Sequence, residues 1–133
     1  MSNLTEGNYL ADWLLWEANP QFNREVVTVL SGQKLASGAV VAKRDDGQNA
    51  GKVVEYEGDG SNATATCVGV LMYPVDASAT GHNADWPGVM LARGPAVISK
   101  AGLTYKTGES TVDDIPEALA DLLALGIVAR EGV

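Results

Sequence analysis

Apolar positions along this chain come mostly in short runs, and their spacing predicts a fold built largely of strands. From Arg24 to Lys43, "REVVTVLSGQKLASGAVVAK", the valines at 26, 27, 29, 40 and 41 are separated by Gly32 and Gly38, which predicts strands divided by turns. "DDGQNAG" (45–51) is a loop, "KVVEYE" (52–57) a strand, "GDGSNA" (58–63) a tight turn, and "TATCVGVLMYPV" (64–75) a longer strand closed by Pro74. "DASATGHNADWPG" (76–88) is rich in turn-forming residues, and "VMLARG" (89–94) and "AVISKAGLTY" (96–105) predict further short strands.

One helix stands out late in the chain. In "DDIPEALADLLALG" (113–126), Asp114 is placed as N-cap, with Glu117 three residues on as its capping-box partner. Pro116 falls in the first turn, and Gly126 is placed to end the helix. Ile115, Leu119, Leu122 and Leu123 share a face that should lie on the sheet. "GIVARE" (126–131) then resumes as a last strand. The expected class is therefore mainly β with one helix in the C-terminal region, an α+β domain.

The front of the chain has another character. In "YLADWLLWEANPQFNREVVTV" (9–29), Tyr9, Trp13 and Trp16 are spaced i, i+4, i+7, which predicts a short helix over 9–18 that Pro20 breaks. The run is too short and interrupted to span a bilayer. No basic residue precedes it and Asp12 and Glu17 lie inside it, unlike a secretory signal. Two readings fit its exposed-looking aromatics. Folded back on the sheet, the rings are ordinary core. As an arm, the segment gains too little from burying Tyr9, Leu10, Trp13, Leu14, Leu15 and Trp16 to offset its own ordering, and becomes firm only on a partner. The arm reading divides the chain into residues 1–23, an N-terminal arm, and 24–133, a β-rich domain.

Charge narrows the partners. Seventeen acidic residues against nine basic ones give a net charge of −8, which disfavours nucleic acid and anionic membranes. The basic residues form no run interleaved with aromatics. With Cys67 as the single cysteine no intrachain disulfide is possible, and a buried small hydrophobe is expected there, in a protein folding in a reducing cytoplasm. Catalytic chemistry is thinly supplied. His82 is the only histidine and sits in a turn-rich loop, so neither a His-based metal cluster nor a Ser–His–Asp triad can be assembled. "GDGSNA" fits a dinucleotide-binding pattern formally, but strand-forming residues follow it where a helix should begin. The carboxylates at 45–46, 113–114 and 55, 57, 59 lack the spacing of a calcium loop. No enzyme and no cofactor are expected. A small binding module remains an alternative, with Trp86 as a ring on which a carbohydrate or metabolite could stack.

Taken in order, "REVVTVLSGQKLASGAVVAK" (24–43), "KVVEYEGDGSNATATCVGVLMYPVDAS" (52–78), "PAVISKAGLTY" (95–105) and "EALADLLALGIVARE" (117–131) resemble the head decoration proteins of tailed bacteriophages, the lambda-type capsid-stabilising family. The resemblance implies a compact β-clip-like domain and a homotrimer on the outer surface of the expanded capsid at three-fold and local three-fold sites. There it would hold neighbouring major capsid proteins against the pressure of packaged DNA. It also implies a chain made in the host cytoplasm, with no cofactor, nucleic acid or membrane partner. An N-terminal arm that orders on the capsid belongs to the same picture. Its residues here would be Tyr9, Leu10, Trp13, Leu14, Leu15, Trp16 and Phe22, continued by Arg24, Val26 and Val27 of the first strand. The front segment departs from the lambda pattern in being rich in Trp and Leu where that arm is rich in Thr, Ser, Pro and Ala.

Overall fold

The computed structural model describes residues 10–45, 47–56, 66–105 and 114–131. In chain order the elements are α1 (Leu10–Trp13), β1 (Leu14–Glu17), α2 (Pro20–Asn23), β2 (Arg24–Val29), β3 (Lys34–Leu35) and β4 (Val40–Lys43). A 3-10 turn over Gly47–Asn49 leads to β5 (Val53–Glu55), β6 (Gly69–Leu71), β7 (Val75–Asp76), β8 (Trp86–Leu91) and β9 (Ala96–Ser99). A second 3-10 turn, Lys100–Gly102, precedes α3 (Asp114–Ala124) and β10 (Ile127–Arg130). The chain is mainly β with a late helix, as its patterning predicts.

Five strands close a barrel in the order β2-β5-β4-β6-β8. Both sides of its wall are covered at β4 and β6, which is why those strands are apolar without alternation, whereas β2 alternates buried and exposed positions. Val27, Val29, Val41, Val53, Leu71 and Met90 gather inside, with Leu35, Val75 and Ala77 from the β3–β7 ribbon. Their chain neighbours Val40, Val70 and Leu91 point the other way, into a second core with Trp13, Met72, Ile98, Ala118, Leu122 and Ile127. That second core lies under a three-stranded sheet, β1-β9-β10, in which β1 runs antiparallel and β10 parallel to β9.

Several elements differ from the sequence reading. The helix over 9–18 is a single turn, Leu10–Trp13, followed by strand β1. A one-turn helix has too few bonds to hold itself, and pairing with β9 takes the next four residues. Trp13 and Trp16 therefore lie on opposite sides, the first fully buried and the second exposed. Pro20, expected to break a helix, instead starts one. Asn19 is extended, as a residue before proline should be, and its side chain accepts from the Gln21 N–H to cap α2. Within the described residues, the strand expected over 64–75 is broken into Gly69–Leu71 and the start of β7 at Val75. β8 begins at Trp86, inside the expected loop, with Pro87 opposite Thr28 on a stretch where β6 does not pair. On α3 the buried face is Ala118 and Leu122 with Leu119 beside them, whereas Leu123 is 61% exposed. Gly126 ends that helix at φ 89°. The expected turn at 58–63, the carboxylates Glu57 and Asp59, and the side chains of Asp114 and Ile115 lie outside the described residues.

Cys67 is the small buried hydrophobe expected, with its N–H held by Asp121 Oδ2 at 2.9 Å, which ties α3 to the strand side. Burial pushes its thiol up to about 12, and the Asp121 charge adds to this. Burial also raises the Tyr105 hydroxyl to about 12, with Cys67 contributing. Both groups are largely neutral in folded and unfolded chains below about pH 8, so their contribution to stability is complete there. As pH rises further the unfolded chain loses these protons first, and the contribution is lost progressively up to about pH 12. The urea midpoint should therefore fall between pH 9 and pH 11, and fall less steeply in Cys67→Ala. Equal slopes in the two proteins would remove Cys67 from the account.

Candidate functional site

The segment expected to dock on a partner divides into residues held by their own domain and residues that face outward. Trp13 has no exposed surface. Its indole Nε1 donates to Ser37 Oγ at 2.9 Å, and Ser37 donates onward to the Met72 carbonyl at 2.7 Å, so both buried polar groups are satisfied. The ring enters a slot walled by two glycines. A Cβ at Gly38 would stand 2.9 Å from Trp13 Cδ1, and one at Gly102 would stand 2.7 Å from Trp13 Cβ. Leu10 and Leu14 pack against the same core, and Leu15 is half-buried. Residues 1–9, Tyr9 among them, lie outside the described residues.

Trp16 owes its position to a bulge. Leu14 pairs with Ile98, but Trp16 pairs with Val97 and Glu17 with Ala96, so Leu15 is the extra residue. Were the pairing regular, with Leu15 opposite Val97, Trp16 would share the inward side of Ala96; the bulge turns the ring out beside Val97. Glu17 then meets Arg24, whose Nη2 donates to Oε1 at 2.5 Å and whose Nε reaches both carboxylate oxygens at 3.1 and 3.2 Å. This bidentate pair holds the Arg24 guanidinium above its ordinary pKa, and Nη1 also donates to the Tyr73 hydroxyl at 3.2 Å.

Asn23, fully buried, joins this region to the barrel. Its Oδ1 accepts the Asn19 N–H at 2.7 Å, and its Nδ2 donates to the carbonyls of Arg93 and Pro95 at 2.8 and 3.1 Å. Beyond it Phe22 is exposed under the Arg93 guanidinium, 5.4 Å from the ring centre, and Arg93 Nη1 donates to the Phe22 carbonyl at 2.6 Å. Along β2, Val26 is exposed and Val27 faces the barrel core. The sequence pattern named these residues together. It could not sort core from surface, because the sorting depends on the bulge at Leu15 and on glycines that lie 25 and 89 residues beyond Trp13 in the chain.

The chemistry available elsewhere is limited. Among the described residues no three His, Cys, Asp or Glu side chains are grouped to hold a metal. No described helix is long and apolar enough to cross a membrane. An open groove of about 450 Å³ runs beside the β3–β7 ribbon, lined by Leu35, Ala36, Pro74 and Val75 with Lys34 and Asp76 as its charged groups. The Asp76 carboxylate is engaged by the Ser78 hydroxyl and N–H and by Thr80, which hold it below its usual range. His82 stacks on Trp86 with ring centres 3.4 Å apart and planes 6° apart, so one face of that candidate ring is already covered.

No curated protein matches the chain in a sequence search. One family profile does, that of the "Bacteriophage lambda head decoration protein D", over residues 3–127. It takes in the front segment, the barrel, the three-stranded sheet up to the first residue of β10, and the whole of α3. The chain therefore belongs to the bacteriophage lambda head decoration protein D family, and is a viral structural protein of the phage head.

Proposed function

We propose that this chain forms a homotrimer that binds the outer surface of the expanded phage head at three-fold and local three-fold sites. There it links neighbouring major capsid proteins and stabilises the shell against packaged DNA. The family match over nearly the whole chain carries this reading. Three copies each offering a modest contact attach firmly through effective concentration, so no deep pocket is required of any one of them. The exposed Phe22 and Val26, with Arg24 between them and residues 1–9 ahead of α1, form the surface assigned to the capsid. Trp13, Leu10 and Leu14 support that surface from within the domain. The role is one of shape and symmetry and includes no reaction. Its compartments are the host cytoplasm before assembly and the outside of the virion head after it.

The test is sedimentation of purified protein with heads lacking it, in expanded and unexpanded form. Saturable occupancy on expanded heads only is expected. Removing residues 1–9, which leaves Trp13 and its slot intact, should lower that occupancy at least about tenfold, because the loss is repeated in three copies. Equal binding to both head forms, or none to either, would overturn the reading.

A further inference from the structure

We infer that the outer face of the β1-β9-β10 sheet is the surface through which copies of this chain meet. The inference rests on the homotrimeric reading above and assigns it a location. Trp16, Val97 and Val128 stand in one row across the three strands, since Trp16 and Val128 are both register partners of Val97. Trp16 is 53% and Val128 42% exposed. Pro95 and Ala18, joined by the Ala18 N–H to the Pro95 carbonyl at 3.1 Å, extend the row toward the exposed Leu125.

A mixed sheet can leave one face in water when that face is polar, and this one is not. The bulge at Leu15 aims a tryptophan at it that regular pairing would have turned inward. Charge selects the occupant. Identical copies of a chain with net charge −8 repel wherever their carboxylates face each other, so they can meet closely only through a surface without acid. The row of Trp16, Val97 and Val128 carries none: Glu17 is turned away into its pair with Arg24, and the charges at its border are Arg130, opposite Ser99, and the Lys100–Glu131 pair beyond it. An uncharged apolar centre is also the composition of permanent contacts between identical subunits. A surface that must wait in solution for a shell is more polar. Near a three-fold axis the same row from each copy meets its counterparts, which closes the assembly without leaving an open end.

Val128→Asp tests this by light scattering, with resistance of Cys67 to alkylation in the same sample as the sign of an intact fold. A wild-type mass of three chains and a variant mass of one chain, with Cys67 still protected, is the expected result. It corresponds to self-association weakened by about 100-fold or more, since a carboxylate would be buried without a partner. Trp16→Ser, made on the opposite edge strand, should do the same and serves if Val128→Asp fails to protect Cys67. A Val128→Asp protein that keeps its three-chain mass overturns the assignment, and if it also leaves the expanded head, the face belongs to the capsid instead. A wild-type chain that is monomeric fails the trimeric reading itself, which this measurement separates from failure of the face.

Discussion

Replacing Gly94 by alanine is expected to leave no folded protein. Gly94 lies against the turn that ends α3, where its N–H donates to the Leu125 carbonyl at 2.9 Å. A Cβ there would stand 1.8 Å from the Gly126 carbonyl oxygen and 2.3 Å from its carbon. The obstacle is backbone, so no rotamer change relieves it. Gly126 cannot easily withdraw, since it ends α3 in the left-handed region and its carbonyl accepts from the Ala96 N–H at 3.3 Å. Separating the two turns would undo the junction between β9 and β10 on which the second core rests. The loss should exceed about 4 kcal/mol, a large share of the roughly 5–15 kcal/mol that holds a domain folded. Gly32→Ala is the comparison: φ is 97°, but nothing stands within 4 Å of its Cβ, so about 1–2 kcal/mol is expected. Soluble yield and urea midpoint read both, and a Gly94→Ala protein as stable as Gly32→Ala would refute the close-contact account.

Trp13→Ala should be the costliest truncation in the front segment, and a loss of stability rather than of docking. Emptying a fully buried indole site removes about 3–5 kcal/mol, which for a domain of this size lowers Tm by about 10–20 °C. Collapse of the slot is limited because its walls are the backbones at Gly38 and Gly102, fixed by the Gly38–Thr104 and Val40–Thr104 hydrogen bonds. Ser37 keeps its bond to Met72, so the loss comes from the cavity and not from an orphaned hydroxyl. Trp16→Ala, on the exposed side of the bulge, should leave the melting of the separated chain within about 1 kcal/mol of wild type. Thermal unfolding of both variants in a Val128→Asp background, confirmed monomeric by mass, compares them free of any loss of association. Equal shifts from the two substitutions would mean that Trp13 is not the core residue it is placed as.

The contrast between these tryptophans also marks how far the sequence could be read. The valine runs, the turns at Gly32 and Gly38 and the late helix ending at Gly126 follow from local pattern, and each stands where local pattern puts it. Closure of the barrel does not, because β4 and β6, buried on both faces, lose the alternation that would tell inside from outside. Leu123 satisfies helical spacing as well as Leu122 does, yet α3 meets the core through a narrower stripe in which Ala118 lets the helix come close. For the front segment, its apolar character was legible while the direction of each side chain was not. Trp13, Leu10 and Leu14 serve the domain, whereas Trp16, Phe22 and Val26 face away from it. For Trp16 the bulge in β1 makes that difference, and hydrophobicity along the chain is blind to it.

The placement of β9 has a consequence for synthesis. Its two neighbours, β1 and β10, come from early and late in the chain, so the small sheet cannot be completed until Arg130 has been made. At roughly 5–20 residues per second, a nascent chain that already holds Trp13 and Trp16 waits on the order of ten seconds for its last strand. Through most of that interval the barrel strands can find one another, but the two rings wait for β9 and Gly102, and the second core stays open until Leu122 and Ile127 have followed. A stop a few codons short of Arg130 would make the interval permanent, and so should send the product to degradation or aggregates rather than to a shortened but working subunit.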